Sequence, residues 1–419
     1  MKLNDDIFII KSKLYDNIVY SPLRRVLFSG NKKAMDIVRK YLSGEKLTDY
    51  EFNSEVYKYL QTIDNHHIDQ TDNYLQIIGN SLTIILTHIC NLGCAYCYAQ
   101  NQRSTDCLNQ TKIKVAIDYY VRNSTNSRNK KIVFIGGGEP TIAWGTFRYA
   151  IEYIRDTYKD LNISCSLITN GTLLTIEKLE FLKKYEIRIV FSFDILPEIQ
   201  NNQRSFLDGR PTFHLIDKNI KKAYEVGVDI VGIRSTITPL NVNLMQEMVH
   251  FVSKNYPLIK LLNFEPVTSC TNTKSFYDEY IENFFITRNV AAERGVVVYN
   301  SISISCNTLK ERFCQREFCI TPTGDITTCH RISSSNEPLY DNFKIGYVSD
   351  TNVYIDEKQI NTILSLKQPL AQCATCFAKY HCAGGCVSER MQLSKEQKEL
   401  KCNFTKEIIL KLLENQVEF

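Results

Sequence analysis

The chain has 419 residues, 44% of them hydrophobic and 23% charged, with a net charge of +4. This is ordinary globular composition, long enough for two or three domains and too weakly basic for a dedicated nucleic-acid binder. No apolar run approaches the roughly 18 residues of a membrane span, and acidic residues interrupt the start MKLNDDIFII, where a secretory signal needs an apolar core. A cytoplasmic protein with no membrane or nucleic-acid partner is expected. Its fifteen cysteines then point to metal ligation or catalysis ahead of disulfides.

Three short apolar segments come first: Ile7–Ile10, Asn17–Tyr20 and Arg25–Phe28. Lys32–Leu42 and Glu51–Leu60 follow, with apolar residues at helical spacing. The order strand-strand-strand-helix-helix suits a small winged-helix-like module, and the polar stretch Asp64–Asn73 reads as the linker leaving it. The expected boundaries are 1–76 for this module, 77–295 for a central domain and 296–419 for a cysteine-rich end.

In the central region strands and helices alternate. Strands are expected at Leu82–Leu86, Lys131–Ile135, Ser164–Ile168, Arg188–Phe193, Asp229–Thr236 and Leu261–Glu265. Amphipathic helices separate them, among them Lys112–Arg122, Thr146–Tyr158, Ile176–Lys184 and Ile216–Glu225. Such alternation argues for an α/β fold with a parallel sheet. Six units fit a partial (β/α)6 barrel, whose chemistry sits at the C-terminal strand ends. From about Val296 cysteines become dense and helical order is expected to fall. Small domains of that kind are often held by metal.

The first strand runs into Cys90-Asn91-Leu92-Gly93-Cys94-Ala95-Tyr96-Cys97. Three thiolates on one short loop can wrap one face of an iron–sulfur cube and leave its fourth iron open for chemistry. Spacing alone also admits a zinc knuckle, though no fourth ligand lies at suitable local spacing. Gly136-Gly137-Gly138-Glu139-Pro140 follows the second strand, Thr169-Asn170-Gly171-Thr172 the third, and Ser192-Phe193-Asp194 ends the fourth. Glycines let backbone approach a ligand, and turn or capping chemistry explains Asn170 and Asp194 equally well.

The C-x3-C-x-aromatic-C loop after a first barrel strand, with Gly-Gly-Glu-Pro after the second, resembles the radical S-adenosylmethionine (SAM) superfamily. The resemblance implies that Cys90, Cys94 and Cys97 hold a 4Fe-4S cluster whose open iron binds SAM. Reductive cleavage of SAM would then give a 5′-deoxyadenosyl radical that abstracts hydrogen from substrate. It further implies SAM contacts from Tyr96, Gly137, Gly138, Glu139, Asn170, Ser192, Asp194 and Arg204. Arg234, on the fifth strand, competes with Arg204 as carboxylate partner, since the arginine fork matches a carboxylate. Glu265, ending the sixth strand, is a candidate proton acceptor.

Nine residues separate Cys314 from Gly324 and four separate Gly324 from Cys329, and Cys373, Cys376, Cys382, Cys386 and Cys402 follow. This resembles the SPASM extension of radical SAM enzymes. Cys319 supplies an eighth thiol, enough for two further 4Fe-4S clusters. By resemblance, Cys314, Cys319, Cys329 and Cys386 hold one auxiliary cluster, and Cys373, Cys376, Cys382 and Cys402 the other. A pair of zinc ribbons is the plainer reading of the same pairs. Cys165 reads as a core residue, and Cys107, Cys270 and Cys306 receive no role.

Enzymes of this kind mostly modify peptides or proteins, with flavodoxin or ferredoxin as electron donor. The expected function is a peptide maturase. It would install a thioether, carbon–carbon or ether cross-link in a ribosomally made precursor whose leader adds a strand to the N-terminal module. The alternative is an anaerobic sulfatase maturase making formylglycine, but that family has aspartate where this chain has His330 after Cys329. A non-catalytic, cysteine-rich metal-binding module is the alternative of another class.

Overall fold

A computed structural model describes residues 6–62, 81–100, 104–124, 129–269, 271–310, 317–366 and 370–417. Alternating side chains make three antiparallel strands, β1 (Phe8–Ser12), β2 (Asp16–Ser21) and β3 (Val26–Ser29). The helices α1 (Lys32–Ser43), α2 (Asp49–Phe52) and α3 (Glu55–Thr62) follow. Local chemistry sets their ends. The Asn31 side chain accepts from the Ala34 amide, Gly44 closes α1 in the left-handed region, and Thr48 and Glu51 form a capping box. The expected second helix is therefore two, because Ser54 interrupts it. The expected linker lies outside the described residues.

The central alternation runs β4 (Ser81–Ile84), α4 (Gln110–Asn123), β5 (Asn129–Phe134), α5 (Trp144–Thr157), β6 (Asn162–Thr169), α6 (Ile176–Lys184) and β7 (Arg188–Ser192). It continues α7 (Pro197–Gln203), α8 (Phe213–Val226), β8 (Ile230–Ile237), α9 (Met245–Asn255), β9 (Leu261–Pro266), α10 (Lys274–Ala292) and β10 (Val297–Tyr299). After α11 (Ser301–Ser305) come β11 (Phe318–Ile320), β12 (Asp325–Thr327), α12 (Tyr340–Phe343), β13 (Lys344–Val348), β14 (Val353–Ile355) and α13 (Glu357–Leu366). The chain closes with α14 (Lys379–Cys382), α15 (Val387–Gln392) and α16 (Lys395–Glu414).

One sheet takes the order β10-β9-β8-β7-β6-β5-β4-β11-β12-β13-β14. From β10 to β4 every neighbour is parallel. All six expected strands are present, within a mixed α/β fold. A seventh parallel strand, β10, is too short to show a period in sequence. On the other edge β11 continues the sheet parallel to β4, and β12 to β14 add antiparallel strands. Helices bury apolar residues at helical spacing, such as Phe213, Ile216, Ile220 and Ala223 of α8. Cys165 is buried in β6, as a core residue should be.

Helical order does not fall after residue 296. The helix α16 buries Phe404, Ile408, Ile409, Leu412 and Leu413. Its polar first half masks this stripe from a sequence reading.

The chain divides into two compact units. One comprises Tyr74–Asn300 and Cys314–Leu366, the other Met1–Asn73, Ser301–Phe313 and Lys367–Phe419. The N-terminal sheet shares its unit with the C-terminal helices.

Candidate active site at the strand ends

Beyond β4 the chain enters the Cys90–Cys97 loop, which is tied down on two sides. The Gly138 and Glu139 amides donate to the Thr87 and Ile89 carbonyls at 2.9 and 2.8 Å. On the other side, Gly93 donates to Ser205, just beyond α7, and Ala95 to Gln203, its last residue, each at 2.9 Å. The glycines are required for this packing. A Cβ on Gly138 would stand 2.0 Å from the Ile89 oxygen, and one on Gly137 2.6 Å from the His88 ring. The Cys97 amide turns back onto the Cys94 carbonyl at 3.2 Å. All three thiols are half-buried, and no described cysteine forms a disulfide. Three reduced thiols on one pinned loop fit a cube that keeps one iron open.

Beneath the loop lies a buried polar hub. Asp194 is fully buried. One carboxylate oxygen accepts from Ser235 and from the Thr236 amide, each at 3.0 Å. The other accepts from Gln203 at 3.2 Å, from Arg204 Nε at 3.1 Å and from the Tyr96 hydroxyl. The Arg204 guanidinium also stacks on the Tyr96 ring at 5.2 Å. A single carboxylate thus joins the cysteine loop, α7 and β8.

Glu139 forms a second hub. It accepts from the Thr141 amide at 3.0 Å, from the Thr169 hydroxyl at 2.6 Å and from the Asn170 amide at 2.8 Å. The Asn170 side chain donates to Asn91 at 3.0 Å and accepts from the Thr172 amide at 2.9 Å. Glu139, Asn170, Asp194 and Arg204 therefore all have protein partners and lie below the surface. Their sequence signal is the same as for ligand contacts, since both uses need polar residues at strand ends.

Other residues face inward at the same level. Strand register places Ser192 beside Arg234, Arg234 beside Asn263, and Asn263 beside Tyr299. Glu265 pairs with Thr236, two residues beyond Arg234 and on the same face. Burial raises the Tyr299 phenol, against the opposing charge of Arg234 and with that of Glu265. Desolvation also raises the Tyr98 phenol although the residue is 40% exposed, and Arg234 again opposes while Cys97 adds. Arg234 is thus within electrostatic reach of the cysteine loop. Tyr98 donates to the Gly136 carbonyl at 2.9 Å, and Arg331 stacks on its ring at 5.5 Å. His330 meets the edge of that ring and pairs through Nδ1 with Glu317 at 2.5 Å. Tyr98, Asn263, Tyr299 and Glu317 carried no motif in the sequence. For Asn263 and Tyr299, position near a strand end was the available signal.

Cys319 and Cys329 are both buried, Cys319 on β11 opposite Thr327. Burial pushes the Cys319 thiol well up, and Glu317 and Cys329 add to it. Gly324, at φ +92°, makes the intervening turn. Cys314 and Cys270 lie outside the described residues. In the other unit Cys386 stands at the N-terminus of α15. There Cys373, Cys376, Cys382 and Cys402 converge. Burial pushes the Cys382 thiol up to about 11, and Cys402, Cys373 and Cys376 each add to the rise. A thiolate so placed needs a cation to balance it. Burial alone raises Cys165 as far, so it is the mutual influence of four thiols that points to a cluster. Among the described residues no three His, Cys, Asp or Glu side chains stand close enough to hold a single ion.

Residues 84–252 match the family model described as the radical SAM superfamily. The chain belongs to the radical SAM superfamily. An uncharacterized protein of Methanocaldococcus jannaschii is 30% identical over 219 residues, 48% of this chain and 73% of that protein. The cysteine-type anaerobic sulfatase-maturating enzyme of Clostridium perfringens is 23% identical over 343 residues, 75% of this chain and 90% of its own. The structure of SuiB from Streptococcus suis bound to its precursor peptide SuiA shares the fold at 15% identity. Its TM-score is 0.56, over 93% of this chain and 96% of SuiB. Among the described residues no helix is long and apolar enough to cross a membrane.

Proposed function

We propose that this radical SAM enzyme is a peptide maturase that installs an intramolecular cross-link, a thioether or a carbon–carbon or ether bond, in a ribosomally made precursor. The observation that carries this reading is the N-terminal sheet with its helices. Among the described residues its outer strands β1 and β3 each pair only with β2. An open strand edge can take an extended leader as a further strand. The fold likeness to SuiB spans 93% of this chain at a TM-score of 0.56, and that to the structure of native anSMEcpe with bound AdoMet spans 80% at 0.63.

In this reading Cys90, Cys94 and Cys97 hold the SAM cluster. The Gly137 and Gly138 backbone meets the amino end of SAM, while Ser192 and Arg234 meet its carboxylate. The bound cluster and SAM together supply the radical that opens the substrate C–H bond. Tyr96 packs beside them, and the Asp194 and Glu139 hubs hold these contacts in register. Glu265 accepts a proton from substrate. The eight downstream cysteines would hold two auxiliary clusters, which would supply a place for an electron when bound, and the external donor would be a flavodoxin or ferredoxin.

Anaerobic reconstitution tests the reading. It requires about twelve irons per chain, 5′-deoxyadenosine on reduction with SAM present, and loss of two hydrogens from a precursor peptide encoded beside the enzyme. Zinc in place of iron, without 5′-deoxyadenosine, would sink it. An aldehyde on a cysteine or serine of a protein substrate would instead establish the sulfatase-maturase alternative.

A further inference from the structure

The N-terminal sheet is buried on both faces. Side chains alternate along a strand, so register puts Ile9, Val19 and Phe28 in one row and Phe8, Tyr20 and Leu27 in the opposite one. The first row packs against α1 and α3. The second packs on Phe377, Ala378 and Cys382 of the four-cysteine loop and on Ile409 and Leu413 of α16.

A polar contact fixes that seat. His381 directly precedes Cys382, and its Nδ1 lies 3.2 Å from the carbonyl oxygens of both Ser305 and Thr308. A carbonyl only accepts, so Nδ1 carries the proton and Nε2 is the acceptor. The Tyr20 hydroxyl therefore donates to His381 Nε2, with the rings stacked at 6.0 Å. Both side chains are buried. At the far end of β1, Ser12 donates to Glu414 of α16 at 2.6 Å.

The loop has little regular structure of its own. It contains a three-residue turn of helix at Ala371–Cys373 and the four-residue α14. Ala383, Gly384 and Gly385 then stand at φ +49°, +80° and +74°. A non-glycine residue in the left-handed region is disfavoured and persists only where its surroundings impose it. Four metal bonds would impose it.

We infer that the four-cysteine cluster has a second function as the seat of the peptide-recognition sheet, with Tyr20 and His381 as positioning residues. Loss of that cluster releases Phe377, Ala378 and His381, and with them the cover of the Phe8–Tyr20–Leu27 row. This rests on the proposed ligation by Cys373, Cys376, Cys382 and Cys402.

Hydrogen exchange on the full-length, anaerobically reconstituted protein tests it, with iron counted in the same samples. Cys402 stands about two helical turns before Ile409, so Cys402→Ala removes a ligand without thinning the packed face. The variant should lose about four irons. Its amides over residues 8–21 should exchange roughly tenfold faster, while β6 of the other unit is unchanged. Tyr20→Phe should keep all its iron and still exchange several-fold faster over 8–21, because His381 loses its donor. Iron lost with exchange over 8–21 unchanged overturns the coupling. Full iron in Cys402→Ala overturns the ligand assignment itself and the inference with it. If Cys402→Ala does not fold, Tyr20→Phe decides: unchanged exchange at full iron overturns the positioning role.

Discussion

Asp194→Asn is the sharpest test of how the SAM site is held. The carboxylate is fully buried, and the side chain of its partner Arg204 is only 10% exposed. Both oxygens are occupied by donors: Ser235 and Thr236 on one, Gln203, Arg204 and Tyr96 on the other. Whichever oxygen becomes an amide turns N–H groups toward at least one donor, and the buried guanidinium loses its counter-charge. Breaking such a pair from one side costs about 3–5 kcal/mol, a large part of a typical stability of about 5–15 kcal/mol. Anaerobic urea unfolding of the iron-loaded protein would read this loss. The hub also sets where Tyr96 stands, so the KM for SAM should rise roughly tenfold while the cluster on Cys90, Cys94 and Cys97 still forms. Tyr96→Phe is the companion variant. It keeps the ion pair, should cost about 1–2 kcal/mol, and should also raise the KM for SAM more than it lowers kcat. If Asp194→Asn costs under about 1 kcal/mol, the buried-pair argument fails. If SAM affinity is unchanged in both variants, the hub does not position the site.

Cys97→Ala should lose about four irons and all 5′-deoxyadenosine formation while keeping the auxiliary iron, read by iron assay and chromatography. Gly138→Ala should lose SAM cleavage, because its Cβ would stand 2.0 Å from the Ile89 oxygen. Gly145→Ala, near the start of α5 with open space at its Cβ, should leave SAM cleavage intact and stabilise by about 0.4–1 kcal/mol in thermal unfolding. Arg234→Met should weaken SAM binding by roughly tenfold or more in equilibrium titration, with less effect on thermal stability than Asp194→Asn.

The parallel sheet was legible because its strands carry apolar and β-branched residues and the helices between them carry apolar stripes. Even the range Ile176–Lys184 coincides with α6. What escaped notice was set by tertiary contact. The strand β10 has three residues and exists because β9 offers it an edge. The helix α16 begins as a polar run, and its packed half shows only once its partners are known. At the site, Asp194 and Arg204 look alike in sequence whether or not they pair with each other. Their ion pair, and the contacts of Tyr96, Gln203, Ser235 and Thr236 around it, show only in the structure. Arg234 and Ser192 become neighbours only through strand register.

The same holds for the N-terminal module, and it changes how peptide recognition must be probed. Residues 1–76 read as a separate module, yet Ser12 bonds Glu414 across 402 residues of sequence, and Ile10 and Tyr20 share a core with Ala378, Ile409 and Leu413. Fully burying one such side chain is worth about 1.5–3 kcal/mol. Cutting off the module would expose Ile409 and Leu413 together, at a cost of about 3–6 kcal/mol. A truncated chain that binds no peptide would therefore say little about recognition, because its four-cysteine loop would be uncovered as well. Point changes at exposed positions of β1, such as Lys11→Ala, leave this core intact and separate the two effects. The N-terminal sheet also cannot acquire its second face until α16 has been made, since Ile409 and Leu413 help to supply that face.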